Sequence, residues 1–270
     1  MKKVCVITGG GSGMGLATAE LLAEKYYVIL VGRTASKLQR AVDDLQAKGY
    51  EAEAFSCDVA DRGSVAELAA HAAETGEVCA VIHAAGMSPS MGTGDQILRT
   101  NALGTIYMNE EFLKVMGKDA CMIDVSSMSA YMAPGMLVPK KAYALAFTDP
   151  EKCVKKIDAR AKLFGKKMYS ALAYVLSKNF VIWYAKKCAN AFGAKGARIL
   201  SVTPGNFDTP MGNLEKDAGG GEFVEKCAIK RFGEPQEIAL LFADLVDPRL
   251  GYLTGTDIVM DGGVVGNMEK

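Results

Sequence analysis

The feature that most constrains this chain is the stretch Val4-Cys-Val-Ile-Thr-Gly-Gly-Gly-Ser-Gly-Met-Gly15. Val4 to Ile7 is an apolar run of strand length, and Thr8 ends it. Five of the next seven residues are glycine, namely Gly9, Gly10, Gly11, Gly13 and Gly15, with Ser12 and Met14 between them. From Leu16 to Ala23 apolar residues return at helical spacing. A strand that passes through a glycine turn into a helix N-terminus builds a site for a diphosphate. Without side chains the backbone N–H groups can approach the phosphates, and the helix dipole favours their charge. The competing reading is an ordinary tight turn, but five glycines lose more chain entropy than such a turn requires.

With 270 residues, half of them hydrophobic, the chain can bury one large core, and a single domain over 1–270 is expected. Thirty-one basic residues balance thirty-one acidic ones. Nothing in that balance suggests nucleic acid or an anionic membrane surface as partner. No run is long enough to span a bilayer, and the first apolar run is too short for a signal-peptide core. The cysteines (Cys5, Cys57, Cys79, Cys121, Cys153, Cys188, Cys227) are scattered singly, which suits reduced thiols in a cytoplasmic protein. Two isolated histidines, His71 and His83, are too few for a metal site, and no metal is expected.

Strand-like and helix-like segments then alternate. Tyr27–Val31 is a second apolar run and ends in Gly32-Arg33-Thr34. In a dinucleotide fold this strand end meets the adenosine ribose. An acid there accepts from the 2′-hydroxyl of NAD, whereas arginine suits the 2′-phosphate of NADP. Arg33 and Thr34 therefore favour NADP(H), with NAD(H) possible; alone, Arg33 reads equally well as a solvated loop residue. Ala35–Lys48 has a helical face of Leu38, Ala41, Val42 and Leu45. Ala52–Cys57 delivers Asp58-Val59, Val78–Ile82 leads into His83-Ala84-Ala85-Gly86, and Ala120–Val125 precedes Ser126-Ser127-Met128. Asp58 reads either as a cofactor contact or as the cap of a helix from about Ser64. Arg99–Met116 reads as a helix with Asn101 as a candidate cap. Ala197–Thr203 opens into Pro204-Gly205-Asn-Phe207-Asp-Thr209, and Thr254–Gly263 reads as the last strand. Strands alternating with helices through right-handed crossovers imply an α/β, Rossmann-type doubly wound parallel sheet.

The pattern T-G-x-x-x-G-x-G at Thr8, Gly9, Gly13 and Gly15, with Tyr174-Val-Leu-Ser-Lys178 downstream, resembles the classical short-chain dehydrogenase/reductase family. The resemblance covers nearly the whole chain except about Tyr131 to Lys166. It implies Asn101, Ser127, Tyr174 and Lys178 as catalytic residues, with Ser126 a structural neighbour of Ser127. It also implies cofactor contacts from Thr8, Gly9, Gly11, Ser12, Gly13, Met14, Gly15, Asp58, Val59, Ala84, Ala85, Gly86, Tyr174, Lys178, Pro204, Gly205, Phe207 and Thr209. Pro204-Gly205 would back the nicotinamide and Thr209 would bond its carboxamide. His83 departs from the family's usual asparagine and reads as a satisfied structural histidine. In the family pattern the tyrosine follows the serine more closely; here Tyr174 comes forty-seven residues after Ser127.

The extra segment, 131–166, reads as a helical insertion. Thr148-Asp-Pro-Glu151 resembles a capping box, and Val154, Ile157, Ala161 and Phe164 give its helix one apolar face. A long insertion at this point resembles the 3α-hydroxysteroid dehydrogenase/carbonyl reductase branch, although surface decoration would also account for it. Lining by Tyr131–Val138, closed by Met128, Met211, Leu214 and Phe223, would make a pocket for a bulky apolar ketone, steroid or bile-acid-like. Met211–Lys230, with Gly219-Gly220-Gly221, reads as a mobile substrate loop.

The reaction implied is hydride transfer between a ketone and a secondary alcohol, with Tyr174 as general acid/base, its phenol lowered by Lys178. The alternatives are an NAD-linked alcohol dehydrogenase, a 3-oxoacyl-type reductase, or a catalytically silent cofactor sensor. The family also implies a homo-oligomer, dimer or tetramer.

Overall fold

Short apolar runs pack as strands when both faces of their sheet are covered, and that is what they do here. The computed structural model, which describes residues 1–217 and 224–268, places Lys3–Thr8 as β1, Gly13–Leu22 as α1, Tyr27–Gly32 as β2 and Ala35–Ala47 as α2. Ala52–Ser56 (β3), Arg62–Thr75 (α3), Glu77–His83 (β4), Gly94–Leu98 (α4), Gly104–Val115 (α5) and Cys121–Val125 (β5) follow. Lys140–Tyr143 (α6), Pro150–Lys162 (α7), Lys166–Ala194 (α8) and Arg198–Pro204 (β6) come next. Pro210–Asp217 (α9), Pro235–Leu245 (α10), Asp257–Met260 (β7) and Val264–Met268 (α11) complete the chain. The run Gly219–Gly221 and Phe223 lie outside the described residues.

The strands form one parallel sheet in the order β3-β2-β1-β4-β5-β6-β7. This is the doubly wound fold the alternation implies. The central strands β5 and β6 are buried along their whole length, whereas the edge strand β7 is partly exposed. Alternate residues of each strand feed two cores. Val4, Val6, Val81 and Met122 join Phe112, Phe180 and Tyr184 on one face. Cys5, Ile7, Ile82 and Ile123 join Leu38 and Phe242 on the other. The strand order reverses beside β1, and that switch point opens a crevice at the carboxyl ends of the strands.

Several elements differ from the reading of the sequence. Arg99–Met116 is not one helix: α4 starts at Gly94 under a Thr93–Gln96 capping box, and Arg99–Leu103 is a π-helical turn before α5. Asn101 lies within that turn and caps nothing. Helix α3 is capped by Asp61, which accepts from Ser64 N, and not by Asp58. The cap of α7 is Asp149 with Pro150 behind it, whereas Thr148 bonds back to Leu145 O. Phe164 falls beyond the end of α7 and is exposed. Residues 211–217, read as the start of a loop, lie in α9. The last strand shrinks to four residues because Gly255 turns the chain with φ +66°.

The segment between Ser127 and α8 packs outward. Cys153, Val154, Ile157 and Ala161 of α7 enter the core shared with α8. Arg99 of the π-helical turn donates to both Glu151 oxygens, at 3.2 and 3.0 Å. Tyr143 Oη donates to Leu176 O at 3.0 Å, and Arg160 holds the 134–137 turn through Met136 O at 2.8 Å. No helix among the described residues is long and apolar enough to cross a membrane.

Candidate active site

The glycine turn is shaped by backbone demands that only glycine meets cheaply. Gly13 sits at φ +55°, in the left-handed region, and a Cβ on Gly15 would stand 2.5 Å from Gly9 O. Gly10 N donates to Val31 O at 3.3 Å and ties the turn to the end of β2. Thr8 Oγ1 accepts Ala85 N–H at 2.9 Å and so fixes the end of β1 to the Ala84–Gly86 turn.

A cleft of about 570 Å³ runs over these strand ends. All the residues expected to hold a cofactor line it. Thr8, Gly9, Gly11, Ser12, Gly13, Met14 and Gly15 form its floor at one end, with Arg33, Thr34, Asp58 and Val59 along the adjoining wall. Ala84, Ala85, Gly86, Pro204, Gly205, Phe207 and Thr209 continue toward Ser127, Tyr174 and Lys178. A cradle that a Cβ would fill, a helix N-terminus behind it and an exposed arginine at the β2 end together fit an NADP-type dinucleotide. Asp58 Oδ1 accepts from Ala60 N at 3.0 Å, a local bond at the edge of the cleft. Thr209 Oγ1 accepts from Gly212 N at 3.0 Å, and its hydroxyl hydrogen remains available to a ligand.

Asn101 stands behind the wall instead of lining it. It is 1% exposed, accepts from Met87 N at 2.8 Å, and donates to Met87 O at 3.0 Å and Ser177 Oγ at 3.1 Å. A Cβ on Gly86 would lie 3.2 Å from Asn101 Oδ1 and 3.3 Å from Lys178 Nζ, so these two side chains converge under Gly86. The two serines, both on the cleft, divide by their bonds. Ser126 Oγ donates to Lys178 O at 2.8 Å and braces α8, whereas Ser127 Oγ bonds the Ser129 hydroxyl at 3.1 Å.

Tyr174 and Lys178, four apart on α8, share the face that meets the cleft. Burial pushes the Tyr174 phenol up, a hydrogen bond with Ser127 opposes this, and the Glu215 carboxylate adds to the rise. Lys178 stands off from the Tyr174 ring. Its Nζ is 6.0 Å from the Tyr174 ring centroid and donates to Val125 O at 2.8 Å. Burial lowers Lys178 to about 8, with Asp124 opposing.

His83 is only half satisfied, contrary to its expected role: Nδ1 pairs with Thr8 Oγ1 at 2.9 Å, while Nε2 is buried without a partner.

Tyr131–Val138 does not wall the cleft, because none of residues 130–166 lines it. Tyr131 Oη reaches Asp257 at 2.7 Å, and Met132 packs against the Met128, Cys227 and Val264 cluster. The far end is built by Met87, Met91, Met128, Ala171, Met211 and Leu214. Of these, Met128, Met211 and Leu214 were legible in the sequence; Phe223 lies outside the described residues. Met87 and Met91 belong to a loop with no periodicity and gave no signal. Glu215, which accepts from Ser90 N at 3.1 Å across the mouth, was hidden in a stretch that read as loop. Among the described residues no His, Cys, Asp or Glu cluster is placed to hold a metal.

The model of the family described as short chain dehydrogenase matches residues 3–140, just over half of the chain. A second, described as enoyl-(acyl carrier protein) reductase, matches residues 160–265. A short-chain dehydrogenase/reductase of Alternaria brassicicola is 28% identical over 100% of this chain and 98% of its own. A 3-oxoacyl-[acyl-carrier-protein] reductase of Thermotoga maritima is 25% identical over 97% and 98%. Among solved structures, a short chain dehydrogenase of Burkholderia cenocepacia in complex with NADP superposes with a TM-score of 0.77 at 24% identity, covering 97% of each chain. The family match over more than half of the chain and relatives aligned along its whole length show that the chain belongs to the short-chain dehydrogenase/reductase family and is an oxidoreductase acting on CH–OH groups with NAD(P).

Proposed function

We propose that the protein is an NADP(H)-dependent oxidoreductase that interconverts a bulky, largely apolar ketone and its secondary alcohol. The observation that carries this reading is the convergence of Ser127, Tyr174 and Lys178 on the same cleft as the glycine turn and Arg33, with Asn101 directly behind. Arg33 would pair with the 2′-phosphate, and the glycine turn with the diphosphate. Bound NADPH would supply the hydride. Ser127 Oγ would hold the substrate carbonyl oxygen by hydrogen bond. Tyr174 Oη would donate its proton to that oxygen, and its raised pKa keeps the proton in place until then. Lys178 would steady the cofactor ribose and help restore the tyrosine proton, with Asn101 fixing the wall beside its Nζ.

Methionines at five positions of the cleft favour an irregular apolar ligand such as a steroid ring system. A 3-oxoacyl thioester is the second reading, supported by relatives such as the Thermotoga maritima enzyme. NADPH oxidation assayed with a neutral steroid ketone and with a 3-oxoacyl thioester separates the two. Turnover of the thioester alone would overturn the first reading. We further infer one dinucleotide-binding domain over 1–270 with 131–166 as an insertion, self-association as a homo-oligomer, and residence in a reducing cytoplasm. The last is supported by seven cysteines that are paired in no disulfide.

A further inference from the structure

The far end of the cleft, built largely by methionines, carries one charged side chain among the described residues, Glu215. The other charged residues on the cleft lie elsewhere along it. Arg33 and Asp58 stand at the ends of β2 and β3, and Lys37 lies against the glycine turn, where a Cβ on Gly11 would meet its Cβ at 3.4 Å. Lys178 belongs to the catalytic centre and donates to Val125 O at 2.8 Å. The proposed reaction uses all of these but has no task for Glu215.

Glu215 is held on both sides of the cleft mouth. On α9 it follows Met211 by four residues, so the two share the face that lines the cleft. Its Oε1 accepts the Ser90 N–H at 3.1 Å, from the turn Pro89–Met91. The next residue, Gly92, accepts from Ser170 Oγ at 3.4 Å, and Ser170 precedes Tyr174 by one turn of α8. The contacts thus run from the carboxylate to the helix face that carries the proton donor. The Tyr174 phenol registers the same charge, since Glu215 adds to its rise. No described residue gives Glu215 a second hydrogen bond or an ion pair, and Lys216 beside it lies over the Phe232 ring, 5.3 Å from the centroid. A carboxylate with no cation partner, set among apolar walls, projects its field further than it would in open water. Such a group rejects a ligand of like charge without touching it.

We propose that Glu215 is a specificity-determining residue that selects substrates by charge: the ketone taken here is neutral or cationic on its body, and anionic ketones are disfavoured. The inference rests on the reading of the cleft as a ketone-reducing site and narrows its substrate class to ring systems without a carboxylate. The test is the ratio of kcat/KM for a methyl ester to that for its free acid, with saturating NADPH near neutral pH, where such acids are ionised. Two pairs serve, 4-oxocyclohexanecarboxylate and a 3-oxo steroid acid, each with its methyl ester. Wild type, Glu215→Gln and Glu215→Ala are compared, and the ratio cancels any change common to both members of a pair. In wild type the ester should lead. Glu215→Gln keeps an oxygen for Ser90 N–H but removes the charge, and it should shrink that lead by about tenfold, the size of a partly screened like-charge pair. The change should appear in KM for the carboxylate, and Glu215→Ala should match it. Equal ratios in wild type and Glu215→Gln overturn the proposal. A ratio that moves in Glu215→Ala alone also overturns it, because the bond across the mouth and not the charge would then select. Preference of the wild type for the carboxylates does the same. Reduction of neither ester by a wild type that binds NADPH overturns the functional reading instead, and the inference falls with it.

Discussion

Arg33 stands exposed at the end of β2 on the cleft wall, with no acidic residue beside it to serve a ribose hydroxyl. A charge-assisted bond to phosphate contributes about 1.5–3 kcal/mol, which is roughly tenfold or more in affinity. Arg33→Ala should therefore weaken NADPH much more than NADH in parallel binding titrations, and equal losses would show that Arg33 does not read the 2′-phosphate. The serine pair makes a second prediction at this scale. Ser126 braces a backbone carbonyl of α8, so Ser126→Ala should cost about 0.5–1.5 kcal/mol of stability and little turnover. Ser127→Ala should do the reverse. Tyr174 adds a pH signature. With its pKa raised, the phenol that reduction needs persists through neutral pH, and the phenolate that oxidation needs forms only in alkali. Alcohol oxidation should therefore climb across the alkaline range, while kcat/KM for reduction holds at neutral pH and declines only in that range. A reduction rate that rises with pH would contradict the assignment.

Helix α7 and the π-helical turn show how elements, more than residues, decide what the insertion does. Ile157 is fully buried between α7 and the core shared with α8. Ile157→Ala should lower stability by about 2–5 kcal/mol in denaturant unfolding. It should leave the ratio of activities on small and bulky ketones unchanged, because no residue of 130–166 reaches the cleft. A changed ratio at intact stability would return the insertion to the pocket wall. The apolar face of α7 was legible in the sequence, since Val154, Ile157 and Ala161 recur at helical spacing. What that face packs against was not, because periodicity reports that a face is buried and not by what. The π-helical turn was hidden for a related reason: its residues keep a helical pattern, and only the hydrogen-bond register reveals that Asn101 turns inward to Met87 and Ser177.

Across the whole molecule, the doubly wound parallel sheet and most of the residues that line the cleft could be read beforehand, whereas the order of the strands was not stated. Glycine spacing, strand-length apolar runs and the strand ends after them are local signals, and strands alternating with helices imply parallel crossovers. The groups that were not legible depend on register. Thr8, His83 and Asp124 align only when β1, β4 and β5 pair, although a lone acid in the otherwise apolar run Cys121–Val125 was a sign of something buried and partnered, here by Asn109. The central claim is that this assembly is an NADPH-driven reductase whose proton donor is Tyr174. Its most direct test is Tyr174→Phe, assayed for NADPH binding by fluorescence and for NADPH oxidation with whichever ketone of a steroid, quinone, sugar and acyl panel the wild type reduces. The account predicts nearly unchanged cofactor affinity and turnover reduced about a hundredfold or more; near-normal turnover in that variant would contradict it.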